Sequence, residues 1–245
     1  MPTDKAHLAI ILVEPIYAGN VGAIARIMNN FCFEDLRIVG SIPQKNDFYL
    51  AMHSEQILEQ ARIFNDLAAA ISDLDRVIAF SRRIGKNKPV DMSPMQMATY
   101  VHDLPQLALG LVFGRETFGL TDAEADLCPL RCHFDANPAF PSLNLAQAVA
   151  LACYEIYSFE QRQLEQGGSK KLEAVKGEEL AKIQDYILNV LHSIGYFHDH
   201  ETTNWEQFLK RLLAQLNPNK EMVYRLRQMF NRIHVLVKGT GKGYD

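Results

Sequence analysis

Three short stretches of the 245-residue chain collect residue types that can do chemistry. The first is Glu14-Pro15-Ile16-Tyr17-Ala18-Gly19-Asn20-Val21-Gly22-Ala23-Ile24-Ala25-Arg26. Gly19 and Gly22 permit close backbone approach, and Asn20 can cap a helix. Arg26 sits on a helix face otherwise made of small and apolar residues. Taken alone, the spacing favours an exposed arginine on a capped helix. A dinucleotide-binding turn is excluded, because Gly19 and Gly22 do not make GxGxxG and no acidic residue follows the second strand at Gly40. The second stretch runs from the apolar Leu109–Phe113 into Gly114-Arg115-Glu116, then Gly119-Leu120-Thr121. Adjacent opposite charges at a strand end are costly to bury unless they bind something or one another, so an internal ion pair is the competing reading. The third, Ala136-Asn137-Pro138-Ala139-Phe140-Pro141-Ser142-Leu143-Asn144, is a proline-braced loop entering a long helix. An N-cap role explains Ser142; nothing local explains Asn144.

The elements that must position these turns are short apolar runs at Leu8–Val13, Leu36–Gly40, Arg76–Ser81, Leu107–Phe113 and Arg131–Phe134. Being continuous rather than alternating, they fit strands buried on both faces of a parallel sheet. Helical spacing links them: Val21, Ile24, Ala25, Met28 and Phe31, then Leu67, Ala70, Ile71 and Leu74, with Thr121–Asp122 opening a further helix. An α/β sheet with right-handed crossovers follows. From Leu143 one long helix presents Leu145, Val149, Cys153, Ile156 and Phe159 on one face. A Gly/Ser/charge-rich linker is expected over 159–177. The remainder reads as a small helical domain, 178–245. One stripe from Leu180 to Ile194 ends at Gly195, a second helix is capped by Asn204 and stopped by Pro218, and a third spans Met222 to Val237. Trp205, Tyr196, Phe197 and Phe208, at helical spacing, read as core.

Together the three stretches resemble the SPOUT superfamily of S-adenosylmethionine-dependent RNA methyltransferases, in its SpoU branch. Asn20 with Arg26, Gly114-Arg115-Glu116 with Gly119-Leu120, and Ser142-Leu143-Asn144-Leu145 carry the resemblance in that order. Val13-Glu14, the Asn137-Pro138 loop, and a tail holding Leu191–Phe197 and the Arg225–Arg232 helix are similar to bacterial tRNA 2′-O-methyltransferases that modify nucleotide 32 of the anticodon loop. The resemblance implies a trefoil-knotted SPOUT domain over 1–158, acting as a homodimer on tRNA with S-adenosyl-L-methionine as methyl donor and no metal. It further implies a cofactor slot of Phe80, Ser81, Arg82, Gly114, Phe134, Pro141, Ser142 and Leu143. The first loop, Phe80-Ser81-Arg82-Arg83, departs from the family's usual small polar residues. Arg26, Asn20, Ser142 and Glu116 become the expected catalytic set, with Glu116 orienting Arg26 or Arg115. A guanidinium holds its proton at neutral pH, so Arg26 suits charge stabilisation of a developing alkoxide better than base catalysis. Ribosomal RNA ribose methylation and a catalytically inactive knotted RNA-binding protein stay open as alternatives.

Composition sets the remaining bounds. With 48% hydrophobic and 22% charged residues the chain is globular, neither disordered nor disulfide-dense. It has no 18–20-residue apolar run and no signal-peptide design at its start, and its four cysteines lack zinc spacing, so a soluble cytoplasmic protein is expected. The net charge of −4 argues weakly against a polyanion partner, but it is uneven. The first 158 residues hold 12 Lys+Arg against 18 Asp+Glu, whereas 170–245 hold 12 against 9. Arg82, Arg83, Lys86 and Lys88 add a basic loop. RNA is therefore expected along Arg83, Lys86, Lys88, Arg225 and Arg232.

Overall fold

The computed structural model describes residues 7–41, 50–81, 92–165 and 175–239. The chain divides into two compact units, Met1–Lys171 and Leu172–Asp245.

In the first unit, β1 (Leu8–Val13), β2 (Asp35–Val39), β3 (Arg62–Phe64), β4 (Arg76–Phe80), β5 (Leu109–Phe113) and β6 (Leu130–Cys132) form one parallel sheet in the order β3-β2-β1-β5-β4-β6. Every residue of β1 and β5 is buried. That is why these strands read as unbroken apolar runs: helices cover both faces, so neither face needs polar side chains. β3 is absent from the sequence reading. It is a three-residue edge strand with two exposed residues, too short to show a periodic pattern. Its Arg62 pairs with Asp35 of β2 at 2.6 Å.

The helices are α1 (Ala18–Asn30), α2 (Glu55–Glu59), α3 (Leu67–Ile71), α4 (Pro94–His102), α5 (Asp122–Leu127) and α6 (Leu145–Glu165). Thr121 caps α5 through a reciprocal box with Glu124. The expected linker begins too early at 159, because α6 continues through Glu165. Glu160 is still on its buried face, and Phe159 meets His102 edge-on at 5.4 Å.

The second unit holds α7 (Gly177–Ser193), a 3-10 turn at Asp199–Glu201, α8 (Thr202–Leu216) and α9 (Lys220–Gly239). Its core gathers Val175, Leu180, Ile183, Ile187, Leu209 and Leu213. Gly195 ends α7 with φ of +72°, a conformation open to glycine at little cost. Asn204 is not the cap of α8. The helix starts two residues earlier, continuing the 3-10 turn whose entry His198 and Glu201 cap. Of the four aromatics read as core, Phe197 is buried, but Tyr196 and Phe208 are exposed. They pack on Trp205, at 5.2 and 5.5 Å between ring centroids, rather than into the aliphatic seam.

Candidate active site

The loops that leave β4, β5 and β6 converge on one cleft at the carboxyl end of the sheet, where open α/β sheets bind ligands. Counted out to its open mouth, solvent included, the space is about 880 Å³. Phe80 stacks on Phe113 at 4.4 Å and on Phe134 at 5.3 Å, making one wall a continuous aromatic surface. Ser81, Gly114, Pro141, Ser142 and Leu143 also line the cleft, so seven of the eight expected slot residues meet there. The eighth, Arg82, lies outside the described residues, as do Arg83, Lys86 and Lys88. His133, which no sequence signal singled out, ties two of the loops: its Nδ1 lies 2.9 Å from the Ser81 carbonyl oxygen. A Cβ added to Gly114 would stand 2.3 Å from the carbonyl carbon of Gly119 and 2.4 Å from the Leu120 nitrogen. Glycine is required there because the loop folds back onto itself, leaving backbone rather than side chain at the cleft.

Glu116 and Asn20 form the polar joint beside this cleft. The carboxylate of Glu116 accepts the backbone N–H of Ile16 at 3.0 Å and of Tyr17 at 3.3 Å, and the Asn20 amide N–H at 2.9 Å. It thereby places negative charge at the α1 N-terminus, where the helix dipole favours it. Asn20 is not the cap of α1: Tyr17 holds that position without a side-chain bond, and the remote Glu116 supplies the acceptor. The Asn20 carbonyl oxygen accepts the Asn144 amide N–H at 3.0 Å, while the Asn144 Oδ1 accepts the Ala146 N–H at 2.8 Å. The capping role expected of Ser142 therefore belongs to Asn144, and Ser142 stays exposed at the cleft rim. Within the chain Glu116 bonds neither Arg26 nor Arg115.

Arg115 faces the other way. It donates to Glu14 at 2.8 Å and to both oxygens of Glu124 at 2.8 and 2.9 Å, with Phe118 lying 5.0 Å from its guanidinium. In place of the competing reading, an ion pair between these two neighbours, there are two separate networks: Arg115 bonds Glu14 and Glu124, while Glu116, in the turn that follows, bonds the start of α1. Arg115 holds the Glu14 and Glu124 carboxyls below the usual carboxylate range, and they in turn raise its own pKa. Glu14 takes φ of +44°, a conformation that non-glycine residues rarely adopt, and the bond to Arg115 holds it there. The Thr121-x-x-Glu124 spacing carried the signal for Glu124, since a capping-box glutamate near a half-buried arginine can serve both. Burial pushes the Cys132 thiol, at the cleft floor, up to about 12, which makes it unreactive at neutral pH.

Arg26 is exposed on α1 and is not among the cleft-lining residues; its Nη1 lies 3.7 Å from the Met52 sulfur. In the second unit Arg225 pairs with Glu221 at 2.8 Å, and Arg232 is exposed. Among the described residues no group of three or more His, Cys, Asp or Glu could hold a metal ion, and no helix is long and apolar enough to cross a membrane.

Comparison with known proteins gives this geometry its context. The SpoU rRNA Methylase family model matches residues 7–154, from the start of the sheet into α6. The chain belongs to the SpoU methylase family. The tRNA (cytidine-2′-O-)-methyltransferase TrmJ of Methanocaldococcus jannaschii is 42% identical over 156 residues, 62% of this chain and 67% of that protein. The tRNA (cytidine/uridine-2′-O-)-methyltransferase TrmJ of Photorhabdus laumondii is 26% identical over 238 residues, covering 95% and 98%. The crystal structure of TrmJ from Z. mobilis ZM4 superposes with a TM-score of 0.67 at 33% identity, covering 92% of this chain and 98% of that one.

Proposed function

We propose that this SpoU methylase transfers a methyl group from S-adenosylmethionine to the ribose 2′-hydroxyl of a tRNA nucleotide, at position 32 of the anticodon loop. The observation that carries the reading is the convergence of the three motif loops on one cleft in a chain similar over nearly its whole length to tRNA 2′-O-methyltransferases.

The cleft fits a nucleoside sulfonium. Phe80, Phe134 and Leu143 supply apolar walls for a purine, and the bare backbone around Gly114 offers donors and acceptors for its edge. When bound, S-adenosylmethionine supplies an electrophilic methyl. The chain's own residues then have two tasks, to align the hydroxyl and to stabilise the alkoxide as its proton passes to solvent. Arg26 is the group for the second task, its fixed positive charge gripping the neighbouring phosphate and favouring the oxyanion. Ser142, at the rim, and Asn20, held by Glu116 and Asn144, position the target nucleotide.

Arg26 stands away from the cleft of its own chain, which supports a homodimer in which each Arg26 serves the partner's cleft. Ile16, Tyr17, Leu151 and Tyr154 support the same arrangement, leaving apolar side chains exposed around α1 and α6. The SPOUT trefoil knot belongs to this reading. Its support is β6 joining the sheet beside β4, which brings the last loop against the first two. The second unit binds the RNA backbone together with Arg83, Lys86 and Lys88, and the protein works in the cytoplasm. The test is mass spectrometry of tRNA from a deletion strain. Loss of the 2′-O-methyl at nucleotide 32 is expected; a fully modified nucleotide 32 would overturn the assignment.

A further inference from the structure

Helices α7 and α9 meet through Ile183 and Ile187 on one side and Val223, Leu226 and Phe230 on the other. Beside this apolar seam lies an open groove, and the residues facing it follow the same helical spacing: Tyr186 and Asn189 on α7, and Tyr224, Arg227, Gln228 and Asn231 on α9. That spacing ordinarily builds an apolar face. Here it carries rings, amides and a guanidinium, and no aliphatic side chain lines the groove.

Each group is already placed. The Arg227 guanidinium lies 5.5 Å from the centre of the Tyr186 ring, presenting a flat cation. Tyr224 is 61% exposed, yet its hydroxyl accepts the Gln228 amide N–H at 2.7 Å, so the exposed ring is held. Asn189 and Asn231 carry no hydrogen bond among the described residues, which leaves two amides, each both donor and acceptor, open to a ligand. An exposed ring, a planar cation and unpaired amides are the groups that stack on an unstacked base and read its edge. The charge agrees: α9 carries Lys220, Arg225, Arg227, Arg232 and Lys238 against Glu221 alone. A protein partner would call for a buried apolar anchor at the centre, which this groove does not offer. Asp185, also on the groove, repels phosphate but can accept from a base amino group, so the base enters and the backbone stays outside.

We propose that the α7–α9 groove of the second unit holds an unstacked base of the RNA substrate. The proposal rests on the tRNA reading above. Its test is the affinity of the full chain for an unmodified tRNA transcript and for a fully paired RNA duplex, measured by fluorescence anisotropy. Tyr224→Ala should weaken tRNA binding about tenfold, the value of one base stack. Tyr224→Phe, which keeps the ring, should stay within about twofold of the parent, and Asn189→Ala with Asn231→Ala should weaken it several-fold. Duplex affinity should be the same for all, and the loss should appear in the tRNA KM more than in kcat. Unchanged tRNA affinity in Tyr224→Ala, or an equal loss on the duplex, overturns the groove while leaving the methyltransferase reading in place. A parent chain that neither binds nor methylates tRNA overturns both.

Discussion

The cleft of the first unit and the groove of the second are built from opposite materials. The cleft hangs from a sheet whose central strands β1 and β5 are wholly buried, and its Glu116 and Arg115 side chains are committed to partners outside its lining. What it offers a ligand is largely backbone, an aromatic wall and shape. The groove lies against α9, where no described residue is buried, and what it offers is side chains. A site made of backbone cannot be altered without disturbing the loops that make it. A site made of exposed side chains can be stripped while the fold stands.

The sharpest exception within the first unit is Arg26, an exposed side chain outside the cleft. Arg26→Ala should lower methyl transfer to tRNA by about 10³-fold, the scale of losing an oxyanion stabiliser. Cofactor affinity, read by calorimetry, should stay near the parent's. An active variant would remove Arg26 from the mechanism and leave the cleft to act alone. Next in size is Gly114→Ala. Its Cβ would overlap the Gly119–Leu120 backbone, and overpacking typically costs about 1–3 kcal/mol. Cofactor affinity should fall roughly 10- to 100-fold, whereas Tyr224→Ala in the groove should leave it alone; equal effects would break the contrast between the two regions.

Glu116→Gln tests the joint. The amide keeps one acceptor oxygen but loses the charge that faces the α1 N-terminus, so urea denaturation should show a loss of about 1 kcal/mol. A neutral outcome would mean that Glu116 serves only the substrate. The smallest effect is one of pH. The Glu14 and Glu124 carboxyls are lowered in the fold by Arg115, so their contribution is present above the unfolded value, about 4.3, and fades as pH falls through the lower folded values. The stability gap between the parent and Arg115→Gln should therefore be widest near neutrality and narrow below pH of about 4. A gap that grows with acid would contradict the pairing.

Much of this was legible in the residues. Unbroken runs such as Leu8–Val13 declare a doubly covered parallel strand, because burial on both faces removes the alternation. The turns after them stand out because Gly, Pro, Asn and Ser meet conformational demands that other residues meet poorly. Local chemistry also marked the capped start of α5 and the glycine end of α7. Edge strand β3 was not legible, since three residues with two exposed carry almost no periodic signal.

The sequence by itself determined the α/β class, the helical tail, the three motif loops and the residue types available in them. Tertiary structure decided who holds whom. Arg115 and Glu116 are neighbours in sequence, yet one reaches Glu14 and Glu124 and the other reaches Asn20, across intervals of 96 to 101 residues for all but Glu124. It also moved the cap of α6 from Ser142 to Asn144 and kept Arg26 out of its own chain's cleft. Backbone preference and burial pattern are local and can be read along the chain. Hydrogen-bond partners are chosen by which loops a folded sheet brings together, and no spacing in the sequence encodes that meeting.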